Sequence, residues 1–336
     1  MPVRAFAAFA PKSLLQPHHL EPAPLGPFDV EIAITHCGIC HSDIHLIDDD
    51  WAMSKYPLVP GHEIVGSVTA AGSEVASLTI GERVGVGWQA GSCFVCEWCA
   101  RGDEQCCPKA IATCVERPGG FADTVRVDSR FVFPLPEDLP SEGAAPLLCG
   151  GVTVYSPLAR LARPASRVGI IGVGGLGHLA IRFARAFGCE VTAFSTSPDK
   201  EADAERLGAH RFVVTSERGA MKRAASSFDL LLSTVTVALD WPAWMKALRP
   251  KGVLCLVGAS PGTLDVAPVA LVIGEKSIAG SVIGSRAGIR EMLQFAARHG
   301  ITAETESLPM AQVNAAIDRI RQNRARYRMV LTNEHQ

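Results

Sequence analysis

Short apolar runs broken by glycine and proline fill the first 150 residues. Val30–Ile34, Ile64–Ala70, Arg83–Gly87 and Thr124–Val127 read as strands, and Pro60-Gly61, Ala71-Gly72 and Pro118-Gly119-Gly120 read as turns. This half of the chain predicts an irregular, mostly β domain. The pattern changes after residue 150. Arg167–Ile171 is a short apolar strand, a glycine loop follows, and Leu179–Phe187 has helical spacing. Val191–Ser195 returns to strand and Asp199–Leu207 is a polar helix. Phe212–Val214, Leu230–Ser233, Val253–Gly258 and Ile278–Ile283 predict further strands, with helical segments between several of them. Strand and helix in alternation imply a parallel sheet covered on both faces. Two helices, Ile289–His299 and Ala311–Gln322, and a strand, Arg328–Leu331, close the chain. There is no internal repeat, low-complexity tract or long linker.

A length of 336 residues fits about two domains. A net charge of −2 argues against a nucleic-acid binder working through a basic surface. No apolar run approaches the ~20 residues of a membrane helix. The stretch Ala5–Ala10 is too short for a signal-peptide core. These features predict a soluble, cytoplasmic protein with no membrane partner. Of 11 cysteines, five lie between Cys93 and Cys107; an odd count in a long chain argues against a disulfide scaffold, and the clustering points to metal.

The glycine loop runs Gly172-Val173-Gly174-Gly175-Leu176-Gly177 between a predicted strand and a predicted helix, the context that gives this motif meaning. Gly172 permits the tight turn, Gly174 lets the backbone approach a pyrophosphate, and Gly177 lets helix and strand pack closely. The helix N-terminus then offers N–H groups to phosphate. The bland alternative is a glycine-rich turn with no ligand. The end of the next strand carries no acid where an NAD site usually places one. Ser195 stands there, followed by Thr196, Ser197 and Lys200. A hydroxyl can donate to a ribose 2′-phosphate that a carboxylate would repel, and Lys200 is a cation for the same group, so NADP(H) is expected over NAD(H). A plain loop with a helix cap at Ser197, or recruitment of Asp199, are the competing readings.

Cys93, Cys96, Cys99 and Cys107 can close a tetrahedral Zn²⁺ site with no position left for water, a structural site coupled to local folding. Cys106 competes with Cys107 for the fourth place. A second set is dispersed: Cys40-His41-Ser42-Asp43-Ile44-His45, then His62-Glu63, then Cys149 before Gly150-Gly151. Each piece alone has an ordinary explanation: Cys149 as a packed small residue, His62 and Glu63 as a surface pair, His45 as an exposed histidine. Spacing alone does not bring the three places together.

With these pieces in hand, the chain resembles the zinc-dependent medium-chain alcohol dehydrogenases, and within them the cinnamyl alcohol dehydrogenase group of NADP-dependent aldehyde reductases. The resembling stretches are Gly38–Asp43, Tyr56–Glu63, the four-cysteine loop, Pro146–Gly151, the glycine loop and Tyr327-Arg328, in family order. The resemblance implies that Cys40, His62 and Cys149 hold a catalytic zinc. It implies that Asp43 orients His62, that Glu63 lies close to the metal, that Ser42 bonds the substrate oxygen and that His45 passes its proton onward. His41 is expected only near the cofactor phosphates. Trp51 and Trp88, with Met53, Phe121 and Ile283 as weaker candidates, are expected to wall a flat apolar pocket; two structural tryptophans are the alternative. The resemblance also implies a GroES-like β catalytic domain of residues 1–150 completed by 288–336, a Rossmann domain of 151–287, and a homodimer, or a tetramer, joined through Ile278–Ile283.

Compared with many relatives the segment after Cys107 is short, leaving Cys114 in a trimmed loop, and Asn323-Arg324 replaces a Gly-acid pair. Three other readings compete. An NAD-dependent polyol or secondary-alcohol dehydrogenase of the same fold would favour an acid at position 195. A zinc-free quinone reductase relative would lack both cysteine sets. A non-enzymatic zinc module would need no glycine loop.

Overall fold

The computed structural model describes residues 2–258 and 262–333; the last three residues of the expected closing segment lie outside them. The chain divides into two compact units, Met1–Val152 with Gly284–Gln336, and Thr153–Ile283.

The first unit is built on a seven-stranded sheet whose longest member is Asp29–Ile39. On it Val30, Ile32 and Ile34 point inward and are fully buried, the period of two that a sheet with one core face requires. This strand pairs antiparallel with Glu63–Ala71, Thr124–Asp128 and Arg328–Thr332. Its register sets Gly38 opposite Glu63 and Ile39 opposite Met329, so residues far apart in sequence meet at one end of the sheet. The strand ends at Ile39, and Cys40 is the N-cap of the helix His41–Asp48 that follows. That helix was not anticipated in a segment read as mostly β. It is anchored by Ile44, Leu46 and Ile47, which are buried, and ends at Asp49 in a left-handed conformation.

The second unit carries six parallel strands in the order Arg211–Val214, Glu190–Ser195, Arg167–Ile171, Phe228–Ser233, Leu248–Leu256, Ser277–Gly280. Numbered along the chain this is 3-2-1-4-5-6, the doubly wound order in which ligands bind beyond the strand ends where the order reverses. Arg167–Ile171 is the strand at that switch, and the glycine loop follows it directly. Two strands begin earlier than the apolar pattern indicates, at Phe228 and Leu248. The last ends at Gly280, not Ile283, and Ile283 has a φ of 35° that no strand accommodates.

Candidate active site

Cys40, His62, Glu63 and Cys149 converge in the first unit, with one ligand atom from each within 4.8 Å of the others. The His62 and Glu63 side chains are fully buried, which excludes the reading of a surface pair. Asp43 organises the group. Its Oδ2 accepts from the Cys40 amide at 2.9 Å, and its Oδ1 accepts from the Gly61 amide at 2.9 Å. The same Oδ1 lies 2.8 Å from His62 Nδ1. A carboxylate only accepts, so Nδ1 carries a proton and Nε2 is the ring nitrogen turned toward the thiols. Nε2 faces Cys149 Sγ at 3.3 Å, and Cys149 Sγ lies 4.0 Å from Cys40 Sγ. The Cys149 thiol donates to Cys40; that contact holds Cys40 well below the usual thiol range and, together with burial, holds Cys149 well above it.

Glu63 is paired with Arg328, itself 6% exposed. Its Oε2 has no partner among the described residues. Burial lifts the Glu63 carboxyl to about 7 against the pull of the Arg328 guanidinium. The Glu63 side chain has room only because position 38 is glycine: a Cβ there would stand 2.1 Å from Oε2.

Ser42 and His45 lie on the helix that Cys40 starts, and both are half-buried. His45 Nδ1 lies 2.7 Å from Asp50 Oδ2, a partner that the sequence reading missed. Trp88 meets the His62 ring edge-on at 4.9 Å between centroids. Trp51 lies 6.3 Å from Trp88 and 5.1 Å from His45. The two tryptophans therefore line one flank of the cluster. Met53 is exposed; Phe121 is fully buried in the core, with no face toward a ligand. Ile283 belongs to the second unit. Cys114 is buried, its Sγ 4.0 Å from Asp43 Oδ1, and burial pushes its thiol up to about 11.

The four-cysteine loop brings Cys93, Cys96, Cys99 and Cys107 within 4.8 Å of one another. Sγ separations are 3.9 Å for Cys93 to Cys99 and 3.5 Å for Cys93 to Cys107. Tetrahedral thiolates at ~2.3 Å from zinc would stand about 3.8 Å apart, so the donor set fits that ion. Cys106 is exposed and outside the group. Backbone N–H groups of Val95 and Cys96 stabilise the Cys93 thiolate and bring its pKa to about 6.

In the second unit Gly172 has a φ of 96°, open to glycine at no cost. A Cβ on Gly177 would stand 1.9 Å from the Gly172 carbonyl, so the helix can start this close only with glycine. A Cβ on Gly174 would meet nothing within 4 Å, and Gly174 is exposed. The loop thus leaves open space at the start of the helix Gly177–Ala186. Ser195 ends its strand, and its Oγ accepts from the Ser197 amide at 3.1 Å. Thr196 is exposed, while Ser197 and Lys200 are half-buried in the turn that follows.

Comparison with known proteins shows the family. Residues 26–137 match the alcohol dehydrogenase GroES-like domain, and residues 175–298 match the zinc-binding dehydrogenase domain. The chain is 42% identical to the aldehyde reductase AdhA of Synechocystis over 98% of its length and 99% of that protein. It is 44% identical to a probable cinnamyl alcohol dehydrogenase 3 of rice, over 94% of this chain and 89% of that one. Among solved structures, a cinnamyl alcohol dehydrogenase of Sorghum bicolor superimposes with a TM-score of 0.95 at 41% identity, covering 99% and 98% of the two chains. The Helicobacter pylori enzyme, described as complexed with NADP(H), gives 0.92 at 31%, with 99% and 98% covered. A GroES-like domain, a doubly wound parallel sheet and full-length similarity at this level place the chain in the zinc-binding alcohol dehydrogenase family, as an oxidoreductase related to the cinnamyl alcohol dehydrogenases and aldehyde reductases.

Proposed function

We propose that the protein reduces aromatic or medium aliphatic aldehydes with NADPH, and oxidises the corresponding primary alcohols in reverse. Zinc would be held by Cys40, His62 and Cys149, and a second zinc by Cys93, Cys96, Cys99 and Cys107. The observation that carries this reading is the convergence of two thiols and an imidazole Nε2 whose opposite nitrogen is fixed by buried Asp43. Two Cys and one His with an open fourth position is a catalytic donor set, whereas four Cys close a structural one. Zinc bound at the first set supplies a Lewis acid that stabilises charge developing on a substrate oxygen. NADPH, when bound, supplies the hydride.

The chain's own residues do the rest. Asp43 keeps His62 in the tautomer that presents Nε2. Ser42 delivers a proton to the substrate oxygen, and His45, three residues on, replenishes it. Asp50 accepts from His45 Nδ1, which leaves Nε2 of that ring to exchange the proton. Arg328 neutralises Glu63 beside the cluster. Trp88 and Trp51 exclude water from one flank and offer flat apolar surface to the substrate.

Gly172, Gly174, Gly175, Leu176 and Gly177 would cradle the pyrophosphate, and the open space at Gly174 fits that role. Ser195, Thr196, Ser197 and Lys200 present hydroxyls, amides and a cation to a 2′-phosphate, with no carboxylate at the strand end. The relative described as complexed with NADP(H) supports the same choice. The edge strand Ser277–Gly280, with Val269, Val272, Ile273 and Val282 exposed nearby in sequence, supports a homodimer through this edge.

The test is initial-rate reduction of cinnamaldehyde by zinc-loaded protein, with NADPH and NADH at equal concentration. Turnover with a strong NADPH preference is expected. An NADH preference would move the assignment to an NAD-dependent polyol or secondary-alcohol dehydrogenase.

A further inference from the structure

We propose that Arg286 is a positioning residue for the four-thiol loop, one guanidinium holding both ends of the segment between Cys93 and Cys107. The inference rests on the reading that these thiols hold a metal.

At the far end of the segment stands Glu104, only 2% exposed. Its backbone carbonyl accepts from the Cys107 amide at 3.0 Å and from Gln89 Nε2 at 2.7 Å. The position of Cys107 is therefore tied to that of Glu104. The Glu104 carboxylate takes Arg286 Nε at 2.7 Å and Nη2 at 2.5 Å, both on Oε1. Its Oε2 has no partner among the described residues, so Arg286 is the cation that keeps this buried charge tolerable. At the near end, Phe94 follows Cys93 with a φ of 58°. Arg286 lies over the Phe94 ring at 5.2 Å and over Phe131 at 5.4 Å, while Arg130 covers Phe94 at 3.8 Å.

The placement of Arg286 argues for a dedicated role. It is the first residue of the helix Arg286–His299, with Ser285 as the cap. A cation at a helix N-terminus opposes the helix dipole. The local preference is overridden because the guanidinium is committed to Glu104 and Phe94. Without it, Glu104 is left with a buried charge and no cation, and its turn shifts toward water with Cys107 attached. The four-thiol geometry then loosens, most at the Cys107 end, since Arg130 still covers Phe94 at the other.

The experiment follows zinc release from the holoenzyme to the chelator 4-(2-pyridylazo)resorcinol. A Cys93→Ser protein identifies the phase that belongs to the four-thiol group. Arg286→Ala is expected to speed that phase about tenfold or more, as loss of outer support does in other metal sites, while the other phase keeps its rate. Glu104→Gln removes the carboxylate and leaves the mostly buried Arg286 guanidinium without its counter-charge, so the tie between Arg286 and the Cys107 turn weakens; it is expected to speed the same phase even if Arg286→Ala does not fold. Arg286→Lys restores most of the retention, since an ammonium still neutralises Glu104. Wild-type release rates in both Arg286→Ala and Glu104→Gln overturn the inference, as does equal acceleration of both phases, which would mean general loosening. If the wild-type protein shows no phase that Cys93→Ser removes, the metal reading itself falls, and the inference with it.

Discussion

Asp43 holds three groups with one carboxylate: the Cys40 amide, the Gly61 amide and His62 Nδ1. It orients two of the proposed ligands at once, because Cys40 precedes it by one turn and His62 follows Gly61 directly. Asp43→Ala should therefore weaken zinc at Cys40, His62 and Cys149 by about 10–100-fold in a chelator competition, and leave the four-thiol zinc in place. Unchanged affinity would show that the tautomer of His62 is held by something else. In the second unit the residue proposed to select the cofactor is Ser195. Ser195→Asp places a carboxylate where the 2′-phosphate is proposed to sit, and like charges so close disfavour binding. The Kd for NADPH, measured by fluorescence titration, should rise about tenfold or more, equal to ~1.4 kcal/mol, while that for NADH holds or falls. Equal effects on both cofactors would remove Ser195 from the phosphate site.

At the scale of elements, the candidate site was legible where motif and element coincide and lost where they do not. The glycine loop was readable because strand, loop and helix follow one another within about twenty residues, and the structure sets them at the switch point of the sheet. The pairing of Glu63 with Arg328 spans 265 positions and depends on the register of Asp29–Ile39 with both flanking strands, which no local pattern encodes. The helix His41–Asp48 was missed because most of its length is polar, four of those residues being the ones proposed for the site, so its apolar face shrinks to Ile44, Leu46 and Ile47. Asp50 sits just past that helix, where the left-handed Asp49 turns the chain back toward His45. The packing of loop on helix gives its own prediction. In Gly177→Ala the added Cβ meets a backbone carbonyl, which cannot rotate away as a side chain would. The substitution should cost about 1–3 kcal/mol, seen as a lower Tm, and weaken NADPH binding. A variant with normal melting and normal binding would show that the loop tolerates a wider approach.

For the whole molecule, the two units carry different parts of the proposed reaction: ligands, relay and aromatic flank in one, glycine loop and Ser195 turn in the other. Each has its own apolar core, one on the strand Asp29–Ile39 and its neighbours, the other around Phe194, Phe228 and Trp244. No helix among the described residues is long and apolar enough to cross a membrane. Val272, at 74%, and Ile273, at 72%, are exposed and lie a few residues before the edge strand Ser277–Gly280. If they flank a dimer interface, Val272→Asp with Ile273→Asp should convert a dimer to a monomer in sedimentation velocity; an unaltered sedimentation coefficient would place the interface elsewhere.

Two separate donor sets are proposed to hold two ions with different jobs. Zinc content per chain, measured by mass spectrometry beside NADPH-dependent aldehyde reduction, tests this on wild type, Cys149→Ser and Cys93→Ser. That proposal predicts two zinc ions in the wild type. It predicts one in Cys149→Ser, with turnover lost and the melting temperature nearly kept, and one in Cys93→Ser, with the melting temperature lowered. A Cys149→Ser protein that keeps both ions, or that still turns over at the wild-type rate, would contradict it.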